Sequence, residues 1–176
     1  DYENGIEFLE RVYEGVESGT PPTLKGDVVV VGGGNVAMDC CRAATRIADG
    51  KVHLVYRRTE ADAPADHEEI AEAKLEGVEF HFLCGQDTLL TENGRITGLR
   101  VVDMERTEPD ASGRRGVRPI AGSEHILPCA HVIAAIGQTA DPSMISDDEG
   151  IARDRKHCII INSAQETSRK GVFAGG

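Results

Sequence analysis

The apolar positions change period several times along the chain, and each change marks an element. Ile6, Leu9, Val12, Tyr13 and Val16 recur at spacings of three and four, which predicts an amphipathic helix over residues 3–18. Ser18-Gly19-Thr20-Pro21-Pro22 ends it, because proline cannot continue a helix. Residues 27–31 (Asp-Val-Val-Val-Val) are a continuous β-branched run, expected of a strand buried on both faces of a parallel sheet. Three glycines follow, then a helical stretch from Asn35 to about Ala48 and a second strand over 51–57. A polar loop (58–66) leads to a Glu-rich helix ending near Gly77, and residues 78–83 form a third strand. This β-α-β-α-β alternation predicts an α/β fold, a Rossmann-like parallel sheet with helices on both faces.

After Gly85 the pattern becomes antiparallel. Residues 87–91 and 95–106 are strand-like and meet at Asn93-Gly94, a strong two-residue hairpin signal. A further piece covers 123–127, after a loop at 107–116. Residues 86–128 are therefore expected to be an antiparallel β-meander inserted between the third and fourth parallel strands, the fourth at 130–136. Short strands are expected at 158–161 and 171–174. The organisation predicted is a nucleotide-binding domain over 27–161, preceded by a helix and linker (1–26) and followed by a return segment (162–176).

Composition narrows the function. Nineteen Lys and Arg oppose 30 Asp and Glu, a net charge of −11, which argues against nucleic acid as a partner. No apolar run approaches the roughly 18 residues of a membrane span, and the N-terminus lacks the basic and apolar regions of a secretory signal. Five Cys without repeated spacing read as reduced thiols of a cytoplasmic protein. The chain opens with Asp1 and stops at Gly-Val-Phe-Ala-Gly-Gly, so it is expected to be a piece of a longer protein.

Candidate chemistry centres on the glycines. Gly32-Gly33-Gly34-Asn35-Val36-Ala37 fits G-x-G-x-x-A between a buried strand and a helix. In that setting Gly32 permits the tight turn, Gly34 lets a pyrophosphate approach the backbone, and Ala37 keeps the helix close to the strand. The free N–H groups at the helix start hold the anion. A carboxylate at the end of the second strand would bind the ribose 2′-hydroxyl of NAD, but here the strand ends in Tyr56-Arg57-Arg58. Two guanidiniums suit a 2′-phosphate, so NADP(H) is favoured over NAD(H), although Glu60 is close enough in sequence to serve a ribose. Cys40 and Cys41 would face different directions on the helix, so Cys41 or both read as core thiols, and the absence of Cys-x-x-Cys argues against a disulfide reductase. The six His show no metal-ligand spacing, so no metal site is expected. Asp66-His67-Glu68-Glu69 reads as an acidic helix start.

VVVVGGGNVAMD (28–39), Val55-Tyr56-Arg57-Arg58 with the following Thr, AAIGQ (134–138) with Asp141, and GVFAGG (171–176) occur together in this order. The combination resembles the NADPH-binding domain of the glutamate synthase small (β) subunit family, FAD-dependent members of the pyridine nucleotide-disulfide oxidoreductase superfamily. The resemblance runs from Gly5 to the end of the chain. It implies a domain inserted into an FAD domain of the same chain, with 1–26 and 162–176 leading to and from it. It also implies hydride transfer from NADPH to FAD, and electrons passed through iron–sulfur clusters to a partner subunit. FAD and the clusters would be held outside this chain.

By the same resemblance, Gly34, Asn35, Val36 and Ala37 would meet the pyrophosphate and adjoining ribose, with Gly32 among the cofactor-binding residues as the turn that brings them there. Arg57 and Arg58 would take the 2′-phosphate, and Ala135, Ile136 and Gly137 would border the nucleotide. No catalytic acid, base or nucleophile is required, since hydride transfer is the chemistry of the cofactors. The alternative is a Rossmann-fold domain serving as a structural or interaction module without nucleotide turnover.

Overall fold

A computed structural model describes residues 1–109, 115–137, 143, 145–146 and 149–175, in two compact units, Asp1–Ile136 and Gly137–Gly176. The first unit contains a five-stranded parallel sheet built from β1 (Tyr2–Asn4), β2 (Val28–Val31), β3 (Val52–Tyr56), β4 (Glu79–Phe82) and β9 (His131–Ala134), in the order β1-β9-β2-β3-β4. Three helices connect its strands: α1 (Gly5–Glu17), α2 (Asn35–Ile47) and α3 (His67–Leu75). Between β4 and β9 lie β5 (Cys84–Glu92), β6 (Arg95–Pro109), β7 (Arg115–Pro119) and β8 (His125–Pro128), all antiparallel.

The valine run explains the layering. Successive side chains of a strand point to opposite faces. Val28 and Val30 join Leu54 and Ile133 in a core with Phe8, Met38, Cys40, Ala44 and Ile70 from the helices. Val29, Val31, Val55 and Val132 pack instead against Leu99, Val101, Cys84 and Cys129 of the meander and its return. The α/β fold and inserted meander stand as expected, but helices on both faces do not. All three helices contribute to one core and the meander covers the other face. A run buried on both sides reports burial, not what supplies the cover.

Three further differences have local causes. Tyr2–Asn4 pairs with β9 as an edge strand, too short for any periodicity to announce. Of the loop expected at 107–116, residues 107–109 and 115–116 are strand and 110–114 lie outside the described residues: β6 runs on to Pro109 and pairs with β7, while β8 pairs with β6. The strands expected at 158–161 and 171–174 are only single bridges, Arg153 to Ile159, Ile161 to Thr167 and Glu166 to Phe173. There, turns closed by His157 N–H on Asp154, Gln165 N–H on Asn162 and Val172 N–H on Arg169 follow too closely for longer pairing.

Helices α2 and α3 are tied at the surface by Arg42, which reaches Glu72 at 2.7 Å and Glu76 at 2.9 Å. No helix among the described residues is long and apolar enough to cross a membrane.

Candidate nucleotide site

The glycine turn sits at the carboxyl end of the central strand β2, where open α/β sheets place their ligands. Gly32 donates its N–H to Val55 O at 3.0 Å, joining the turn to the end of β3. Its φ of +151° suits glycine, and a Cβ there would collide with the carbonyl oxygen of Ala135. Ala135 in turn donates its N–H to Val31 O at 2.8 Å. A Cβ on Gly33 would strike the Tyr56 ring. These two glycines are therefore required by the protein's own packing.

Gly34 is different. An added Cβ would meet nothing nearer than Pro64 Cγ at 3.8 Å, so no neighbour in the chain dictates glycine here. It is the N-cap of α2, no side chain caps that helix end, and its first turn contains no acid. The carbonyl of Gly34 accepts from Ala37 N–H at 2.9 Å, and the N–H groups of Asn35 and Val36 face outward from the uncapped end. A small open cradle lined with donors fits an anionic group.

The end of β3 comes to the same place. Arg57 and Arg58 follow Tyr56 directly, and neither guanidinium makes a hydrogen bond or ion pair with a described residue. The loop after them is pinned onto the turn: Ala65 N–H donates to Gly33 O at 3.1 Å, and Asp66 N–H to Asn35 Oδ1 at 3.0 Å. Inside the loop, Tyr56 Oη donates to Asp62 O at 2.9 Å and Thr59 caps a short 3-10 turn. The Thr59 hydroxyl, and after it the Arg106 charge, hold the Asp62 carboxyl below its usual range. Glu60 pairs with Lys74 at 2.6 Å, which draws it away from the ribose role its position suggests.

The structure thus gathers Gly32, Gly34, Asn35, Val36, Ala37, Arg57, Arg58 and Ala135 around one end of the sheet. Ile136 is two-thirds exposed and lines a separate, mainly apolar cavity of about 150 Å3 with Tyr2, Gln86, Leu89 and Leu99. Gly137 opens the second unit. Gln138 and Asp141 lie outside the described residues. Sequence reasoning missed two positioning roles, the Tyr56 ring filling the space over Gly33 and the Asn35 carbonyl holding the start of α3. An aromatic residue immediately before the Arg pair was the available signal for the first.

Four of the five thiols are buried. Burial raises Cys40 to about 12 and Cys84 and Cys129 to about 11, and pushes Cys41 well above its ordinary value. No two are joined, and Cys158 is the exposed one.

Residues 3–176 match the family model described as pyridine nucleotide-disulphide oxidoreductase. The chain belongs to this family. Among its relatives, the β subunit of an NADP(+)-dependent formate dehydrogenase from Moorella thermoacetica is 48% identical over 157 residues, covering 88% of this chain and 22% of that one. The small chain of an NADPH glutamate synthase from Escherichia coli (strain K12) is 38% identical over 154 residues, covering 85% of this chain and 33% of the relative. This pyridine nucleotide-disulphide oxidoreductase chain thus spans a third or less of the length of either. A solved thioredoxin reductase from T. acidophilum superposes with a TM-score of 0.64 at 19% identity, over 85% of this chain and 43% of that one. At that identity the likeness is one of fold.

Proposed function

We propose that this chain is the NADP(H)-binding domain of an FAD-dependent oxidoreductase of the glutamate synthase small-subunit type. The observation that carries the reading is an uncapped helix start with an unclaimed cradle at Gly34, next to two guanidiniums that form no hydrogen bond or ion pair with a described residue. The N–H groups of the α2 start would hold the pyrophosphate, with Asn35, Val36 and Ala37 against it and the adjoining ribose. Arg57 and Arg58 would bind the 2′-phosphate through charge-assisted bonds. Ala135 would border the nucleotide where the chain leaves β9.

When bound, the reduced nicotinamide supplies a hydride for the flavin of the flanking domain. The residues of this chain bind and orient, and none acts as an acid, base or nucleophile. Residues 1–26 and 162–176 would connect the 27–161 domain to the FAD domain of the same protein. Iron–sulfur clusters outside this chain would take the electrons on to a partner subunit in the cytoplasm. The relatives named for NADP-dependent formate dehydrogenase and NADPH glutamate synthase support the nucleotide and the subunit arrangement. On this reading the isolated chain binds NADP(H) weakly and turns nothing over.

Titration with NADPH and NADH, repeated on Arg58→Ala, tests the assignment. Removing a charge-assisted phosphate contact is expected to weaken NADPH by about 1.5–3 kcal/mol, roughly 10- to 150-fold, and NADH little. Equal losses for both nucleotides would refute the 2′-phosphate role. No binding of either nucleotide to the unaltered chain would favour an interaction module instead.

A further inference from the structure

Twenty-eight residues separate His53 from His81, yet parallel pairing of β3 with β4 brings them face to face. The register sets Glu79 opposite His53 and His81 opposite Val55, so all three side chains fall on the meander side of the sheet. His53 Nδ1 lies 3.1 Å from His81 Nε2 and 3.4 Å from Glu79 Oε2, and the three ligand atoms all fall within 4.8 Å of one another. Two ligands of a tetrahedral zinc ion, at about 2.0–2.1 Å from the metal, stand about 3.3 Å apart. The short edges of this triangle already match that spacing.

We propose that His53, Glu79 and His81 form a binding site for a divalent transition metal of the Zn2+ type, with a fourth position left for water. Imidazole nitrogens and a carboxylate oxygen are the donors such ions take. Placed between the facing ring nitrogens, the ion would accept a lone pair from each imidazole and one from Glu79. Glu79 is oriented for the role: its Oε1 accepts from Lys51 Nζ at 2.6 Å, while Oε2 is turned toward His53. Lys51 thereby acts as the outer partner that aims a ligand. His53 is buried at 8% exposure, whereas Glu79 is exposed, so the site has a fixed inner wall and an entry from solvent.

The site stands apart from the glycine turn. His53 precedes the end of β3 by three residues, about 10 Å along the strand. The ion would fasten the edge strand β4 to β3 and would not take part in nucleotide binding.

The test uses the untagged chain, stripped with chelator and titrated with ZnCl2 by calorimetry, with metal content measured after gel filtration. One molar equivalent is expected, together with a rise in Tm and, with Co2+ in its place, visible bands of a tetrahedral nitrogen–oxygen site without thiolate charge transfer. Glu79→Gln and His81→Gln should each abolish the saturable equivalent. Lys51→Met should weaken it roughly tenfold, and Cys158→Ser should leave it unchanged. Should His81→Gln fail to fold, Glu79→Gln decides, since that side chain is exposed. Absence of a saturable equivalent, its survival in Glu79→Gln, or its loss in Cys158→Ser would each overturn the proposal.

Discussion

Two helix starts lie side by side in this molecule and are finished in opposite ways. At α3, Asp66 is the N-cap, its Oδ1 accepts from Glu68 N–H at 3.0 Å, and Glu68 and Glu69 place negative charge in the first turn. A side-chain cap and first-turn negative charge are both present. At α2, one hydrogen bond away through Asn35 and Asp66, the cap is glycine, no side chain answers the free N–H groups, and the first turn has no acid. On the proposed reading, the open start of α2 is left for an external anion. The neighbouring Arg57 and Arg58 make no ion pair with a described residue, whereas six arginines of the first unit hold a carboxylate, and on the proposed reading they extend that positive opening.

Making α2 resemble α3 is the strongest way to break the contrast. Gly34→Asp supplies an internal cap that would keep or slightly raise helix stability, while its charge faces the pyrophosphate. We expect NADPH affinity to fall by about 3 kcal/mol or more from like-charge opposition, with Tm unchanged or higher. Titration and thermal melting read the two effects separately, and a loss of affinity under tenfold would count against the site.

The two outer glycines of the motif sharpen the same contrast, because only one is required by packing. Gly32→Ala forces a side chain into a left-handed conformation against Ala135 O. We expect it to cost stability by at least about 1–3 kcal/mol, read by denaturant unfolding. An unchanged unfolding midpoint would show that the turn relaxes around the methyl group.

The smallest effect comes from the reverse exchange at α3. Asp66→Ala removes the cap and should cost about 1 kcal/mol of stability. NADPH affinity should barely move, because the Asp66 contact to Asn35 uses backbone N–H. An affinity loss as large as that of Gly34→Asp would erase the distinction between the two helix starts.

Much of this frame was legible in the chain itself. The β-branched run, the glycine turn and the Arg pair located β2, α2 and the end of β3, and Asn93-Gly94 forms the tight turn expected, with φ of +50° and +77°. The pattern could not say which face the helices cover, since Val28 to Val31 are buried alike on both sides. Nor could it separate Gly32, fixed by Ala135, from Gly34, fixed by nothing within the chain. The His53–His81 pair was hidden for a related reason: spacing rules see ligands on one element, and these meet only through strand register.

The central claim is most directly tested by following backbone amide resonances of the chain during titration with NADPH. The account predicts that the amides of Gly34 to Ala37 shift with the bound fraction, while those of His67 to Glu69 at the capped start of α3 stay in place. Shifts centred on α3, or spread evenly over both helix starts, would contradict it.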